Sequence, residues 1–386
     1  MKKEFMANQT KRRIKIIAII LIITAIIVTL AFYIGNEEFR VFFDRYILRK
    51  EISQDTLVSI ELKDEEKPSI YAYYKYITLL NKNKLETYSS SGKKEYEHDI
   101  AVNNPIYSSN NRFLTIAEKG GHSLYLISEA NILWQQEIEG NIQKINVNKN
   151  GYVTVTITGS SYRTVITTYS PAGKELFKTY LSSTYSLDTD ISNDNKYLAI
   201  AEINTQGTLI QSSIKIISIE KAQTDPLNSV IAIHNAEANK LLKNIKYQDK
   251  NKLVCTYDSS IDIYYEGKNE EVISYDKTKA TMASIELNNF AVYGLETSVG
   301  LFSNTQIVIK DIQTVKENIY TIKNTVKEIL AKDNNIVLNI GSEVQFINTS
   351  GWLVKKYISQ QEVKDIVLAD KIAGIVYKDK IEIVNL

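Results

Sequence analysis

Glu118, His122, Glu202, Gln206 and Glu296 fall at or just beyond the ends of similar apolar runs along the chain. Carboxylates joined by an imidazole and an amide at one rim offer several acceptors, which suits a cation, a sugar or a basic partner. The same positions also suit plain solvated strand ends. The three histidines, His98, His122 and His234, show no HExxH or Cys/His ligand spacing. Cys255, the single cysteine, sits in KLVCTY and reads as a small buried strand residue. Gly120-Gly121 has no strand-then-helix context for a phosphate loop, and Gly159-Ser160-Ser161 lacks the second glycine of a nucleophile elbow. The sequence nominates no catalytic residue, no cofactor and no metal ligand.

Composition bounds the partners. The chain has 386 residues, 44% of them apolar and 24% charged, enough for a sizeable core. Its net charge of +1 hides an asymmetry: residues 1–15 carry +5, which leaves the remainder at −4. A mildly acidic body is a poor polyanion binder, so nucleic acid is not expected. With one cysteine, no disulfide forms within the chain, and stability rests on packing.

Residues 16–34, IIAIILIITAIIVTLAFYI, contain no charge. As a helix rising about 1.5 Å per residue the run spans about 28 Å, close to a bilayer's hydrocarbon thickness. Thr24 and Thr29 can bond carbonyls one turn back. Lys11, Arg12, Arg13 and Lys15 flank the N-terminal end and determine topology: the positive-inside rule puts that end in the cytoplasm and the body outside. A cleaved signal peptide competes, but its apolar core would be shorter and followed by small residues, and here only Thr29-Leu30-Ala31 would serve. The division expected is a basic tail (1–15), a transmembrane helix (16–34), a juxtamembrane linker (35–50) and a body (51–386). Aromatic and aliphatic residues over 37–50 recur at three- and four-residue spacing, as in an amphipathic helix lying on lipid, under the body or against a partner.

SNDNKYLAIAE (192–202) nearly copies SSNNRFLTIAE (108–118). Apolar, β-branched runs follow Asn/Asp-rich turns throughout, beginning at Tyr76, Phe113, Tyr152, Tyr197, Leu253, Phe290, Ile336 and Ile372, at a mean spacing of about 42 residues. A strand-rich period near 40–45 indicates a β-propeller, since one four-stranded sheet cannot bury both faces without neighbours. A strand precedes each turn and two more follow the apolar run, the last after a turn with Gly92, Gly173 or Gly351, or Asn131 in its place. The final unit holds only three strands. Residues 56–62 would supply the fourth, giving an all-β, eight-bladed ring closed by both chain ends; seven blades stay open because the strand in PSIYAY is poorly marked.

The basic tail, the Ile-rich anchor, the aromatic juxtamembrane stretch and the loose N-N and G-K repeats resemble the membrane-anchored bacterial (clostridial) family DUF5711 over nearly the whole chain. More distantly, ILWQQEIEG (132–140) is similar to a turn of quinoprotein-like and WD40-like propellers, without the WD40 Gly-His and Trp-Asp pairs. The resemblance implies a propeller and no assigned activity. Trp134 and Trp352 are expected on outer strands, away from the channel where a quinone would need a planar stacking partner. The expectation is a single-pass membrane protein whose outer ring binds a cell-envelope protein or polymer without catalysis. The alternative is an envelope enzyme, sugar-active or quinoprotein-like, working from the central channel.

Overall fold

The computed structural model describes residues 2–35, 39, 43, 57–63, 67–81, 83–129, 131–238, 240–248, 251–275, 280–299, 302–359 and 361–386. It divides into two units, Met1–Ser53 and Gln54–Leu386.

In the first unit one α-helix, α1 (Lys2–Gly35), includes the basic stretch, so residues 2–15 continue into the apolar span without a break. Its segment Lys15–Gly35 is long and apolar enough to be a membrane anchor or a signal sequence. The threonines bond backwards: Thr24 Oγ1 donates to Ile20 O at 2.9 Å and Thr29 Oγ1 to Ala25 O at 2.8 Å, which hides their hydroxyls. The amphipathic segment expected over 37–50 lies outside the described residues except for Phe39 and Phe43. Their rings sit 5.8 Å apart, with Phe39 5.8 Å from Phe32 and Phe43 5.8 Å from Tyr33.

The second unit is an eight-bladed β-propeller of eight four-stranded antiparallel sheets. Blades 1–7 each use four consecutive strands, over 69–99, 105–137, 141–181, 185–235, 242–274, 280–322 and 328–358. Blade 8 takes three strands from 365–385 and its outer strand from Val58–Glu61, which pairs antiparallel with Lys380–Asn385 in the register Ile60↔Ile381. Eight therefore stands over seven: Ser69–Tyr73 is a full inner strand of blade 1, although its sequence marks it weakly.

Each blade boundary holds its own apolar cluster. Leu114, Ile116, Tyr73 and Leu85 fill the boundary of blades 1 and 2, and Ile60, Ile77, Leu79 and Ile381 fill that of blades 8 and 1. All eight boundaries are filled in this way, so the ring closes through hydrophobic contact as well as strand pairing. Cys255 lies in the cluster between blades 4 and 5, fully buried, and burial pushes its thiol well above the usual range.

The turns follow from local chemistry. Asn111, Asn195, Asn251, Asn289 and Asp333 all adopt positive φ between first and second strands, a conformation short amide and carboxylate side chains tolerate. Gly92, Gly173 and Gly351 do the same between third and fourth strands. In blade 2 the left-handed residue is Glu129 (φ 50°), not Asn131, which already belongs to the outer strand Asn131–Glu137.

Candidate functional site

Strand direction alternates within each blade, so the ring has two faces. A turn face carries the first-to-second and third-to-fourth turns. A link face carries the second-to-third loops and the blade-to-blade links. The five residues singled out from the sequence lie toward the link face, on blades 2, 4 and 6, and no described hydrogen bond or ion pair joins one to another. Glu118 Oε1 accepts from Asn103 Nδ2 at 2.9 Å and so ties down the link entering blade 2. His122 Nδ1 lies 2.9 Å from both Ile138 O and Gly140 O, holding the link leaving that blade. Glu202 is 3% exposed; it pairs with Lys215 at 2.6 Å and accepts from Thr184 Oγ1 at 2.8 Å. Gln206 is exposed in the long loop of blade 4, and Glu296 is exposed on blade 6 opposite Thr305. Of the residues flanking the apolar span, Lys15 is exposed on α1, and Lys11, Arg12 and Arg13 lie on the same helix.

The link face gathers a different set at blades 3 and 4. Gly159 (φ 88°) turns the loop that presents Tyr162 and Arg163. The Tyr162 and Tyr180 rings lie 4.8 Å apart, and the Arg163 guanidinium sits 5.0 Å above the Tyr185 ring while donating to its hydroxyl at 2.9 Å. Tyr162, Tyr180 and Tyr185 are 40–54% exposed, and in the blade 4 loop that also carries Gln206, Leu209 is 63% and Ile210 48% exposed. Sequence reasoning missed this surface. Its signal was the Ser/Tyr wording of SSYR (160–163) and SSTYS (182–186), together with an apolar pair inside the loop GTLIQ (207–211).

The turn-face mouth of the channel is polar. A cavity of about 350 Å³ is lined there by Lys246, Glu286, Lys332, Asp333 and Asp370 among others. Charges that interrupt the inner strands meet across blades. Lys144 pairs with Asp188 at 2.7 Å, and the other oxygen of Asp188 accepts from Ile245 N at 3.1 Å. Asp190 accepts from Tyr247 N at 2.6 Å. Lys246 lies 3.4 Å from Glu286. Lys332 of blade 7 donates to Ser109 O of blade 2 at 3.2 Å, bridging non-adjacent blades.

These contacts set the ionisation. Burial pushes the Asp190 carboxyl up to about 6, partly offset by Lys246 and the Tyr247 N–H. Burial and then the neighbouring Asp333 carboxylate push Asp370 up to about 6. Burial opposes charge on Lys246 and Glu286 as well, yet nearby opposite charges override it: Lys246 is raised, chiefly by Glu286 and Asp190, and Glu286 is lowered by Lys246 and Lys332. The signal for this network was a charge in the middle of strands such as IQKINV, SLDTDI and NIKYQD. Trp134 is on an outer strand, where Nε1 donates to Pro171 O at 3.1 Å, and Trp352 directly precedes another outer strand, Leu353–Ile358. His98 and His234 also lie on outer strands, in blades 1 and 4.

Comparison with solved structures finds propellers. The C-terminal WD40 domain of Sif2 superposes with a TM-score of 0.57 at 12% identity, covering 86% of this chain and 99% of that domain. Sqt1 of Chaetomium thermophilum, bound to the N-terminus of ribosomal protein L10, gives 0.55 at 11% identity, covering 86% and 100%. BamB of Moraxella catarrhalis gives 0.51 at 10% identity, covering 86% and 97%. At these identities the likeness is one of fold alone. No curated protein matches the sequence. The model of the family of unknown function DUF5711 matches residues 48–386, and the chain belongs to that family.

Proposed function

We propose that the protein is a membrane-anchored binding module whose ring engages a protein or polymer of the cell envelope without catalysis. Its helix is retained as the anchor, Lys11, Arg12, Arg13 and Lys15 keep the N-terminal end in the cytoplasm, and the propeller stands outside. The observation that carries the reading is the exposed surface of Tyr162, Tyr180, Tyr185, Leu209 and Ile210 on the link face. Tyrosine supplies large amphipathic contact area at small entropy cost, and serines beside it adapt their hydrogen bonds, the chemistry of a recognition surface. Sqt1 bound to a protein terminus supports the idea that a ring of this fold can hold a polypeptide. The test is a photo-crosslinking residue at Tyr162 in intact cells, with one at Lys75 on the turn face as control. A discrete adduct at Tyr162 alone, lost when Tyr180→Ala is added, is expected. No adduct, or one only at Lys75, overturns the proposal.

A second reading, a sugar-active enzyme of the envelope working from the channel, is favoured by one observation. A carboxyl pushed up to about 6, Asp370, sits beside a second carboxyl, Asp333, in a polar cavity, which poises Asp370 to carry a proton there. Turnover of wall glycans that Asp370→Asn abolishes would establish it; absence of turnover by the intact chain would end it.

A further inference from the structure

The eight outer strands differ in one respect. Those of the other seven blades each carry at least one acidic or basic residue: KEYEHD, NILWQQE, ELFKTYL, KNEEVIS, ENIYTI, LVKKYI and VSIE. Charges on an edge strand are how β-proteins keep their free backbone groups from pairing with another chain. The outer strand of blade 4, Val230–Asn235 (VIAIHN), carries none. Burial holds the His234 imidazole below its ordinary pKa, so it too is neutral at pH 7. Among the described residues the strand pairs only with its neighbour Gln211–Ser218, and a bulge at its start leaves Ala232–Asn235 regular. Val230, Ile231 and Ile233 are 42–59% exposed, and Leu227, in the insertion leading into the strand, is 95% exposed.

We propose that this edge is where two copies of the chain meet, running antiparallel about a twofold axis at Ile233. An uncharged apolar strand calls for an uncharged apolar strand, and a second copy meets that requirement by identity. In this register Ile233 faces its own counterpart, Ala232 of one copy faces His234 of the other, and Ile231 faces Asn235, so no charge is buried and none repels. A seam of five residues per chain, 231–235, is small for a stable interface, so association in solution is weak, on the order of 100 µM.

The test is sedimentation of the full chain in detergent micelles. The wild type is expected to shift from one-chain to two-chain mass as concentration rises through that range. I233K and I233E each set like charges face to face on the axis and should remain at one-chain mass, while their equimolar mixture regains two-chain mass. Ile233 is exposed, so neither variant disturbs the core, and the mixture reports pairing independently of any loss in the single variants. One-chain mass for the wild type at every concentration, a dimer that I233K leaves intact, or a mixture that fails to associate would each overturn the proposal.

Discussion

The two faces of the ring handle polar groups in opposite ways. Along the channel and at its turn-face mouth, charges complete one another: Lys144 with Asp188, Lys246 with Glu286, and Lys332 with a carbonyl three blades away. On the link face at blades 3 and 4 the conspicuous groups are tyrosines, Leu209 and Ile210, which remain 40–63% exposed. A network that satisfies itself mainly holds blades in register. A surface that leaves apolar area in water is stabilised by covering it, and so points outward to a partner. Substitutions at the mouth should therefore change stability, and substitutions in the patch should change association.

The largest effect is expected from Asp188→Ala. It strips the counter-charge from Lys144 and the acceptor from the Ile245 N–H at a junction of three blades, a loss of about 2–4 kcal/mol that would lower the urea midpoint. If the midpoint hardly moves, the mouth is not holding the ring together and the contrast between the faces fails.

Asp370→Asn should act in the other direction and only at higher pH. The folded-state pKa of about 6 exceeds that of an unfolded aspartate, so the folded chain holds the proton more tightly. Stability from this group is fully present below the unfolded value near 4, falls as pH rises toward 6, and stays lost above it. The amide cannot ionise, so the variant should gain about 1–2 kcal/mol at pH 8 and nothing at pH 4. Thermal melts at the two pH values compare them directly.

The smallest effect belongs to the patch. Tyr162→Ala with Tyr180→Ala removes one exposed ring pair and should cost about 1 kcal/mol or less in stability. A larger loss would mean that the tyrosines brace the blades instead of serving a partner.

The repeat was legible because its cause is local. Each inner turn needs a residue that tolerates positive φ, and asparagine or aspartate stands there in five blades. The closing strand was legible because blade 8 lacked one. Glu202 shows where that legibility stops: in the sequence it closes an apolar run as Glu118 and Glu296 do, but its strand runs on to Asn204 and Lys215 and Thr184 enclose it, so it is an internal ion-pair partner instead of a rim group. Glu129 in place of Asn131 shows the same limit, since the shorter blade 2 turn, two residues between Ser128 and Asn131 against five between Tyr88 and Lys94, moves the left-handed position.

Period, turn chemistry and the missing strand thus determined by themselves that the chain forms a closed ring of four-stranded blades behind an apolar helix, because each depends on neighbours within a few residues or on a count. Which charges meet was decided only by the tertiary structure. Lys332 and Ser109 lie 223 positions apart, and no local pattern records a contact that exists only once the ring is closed. The charge-free edge of blade 4 belongs to both: its composition is in the sequence, but its place at the rim, with the backbone open on one side, comes from the order of strands in the sheet.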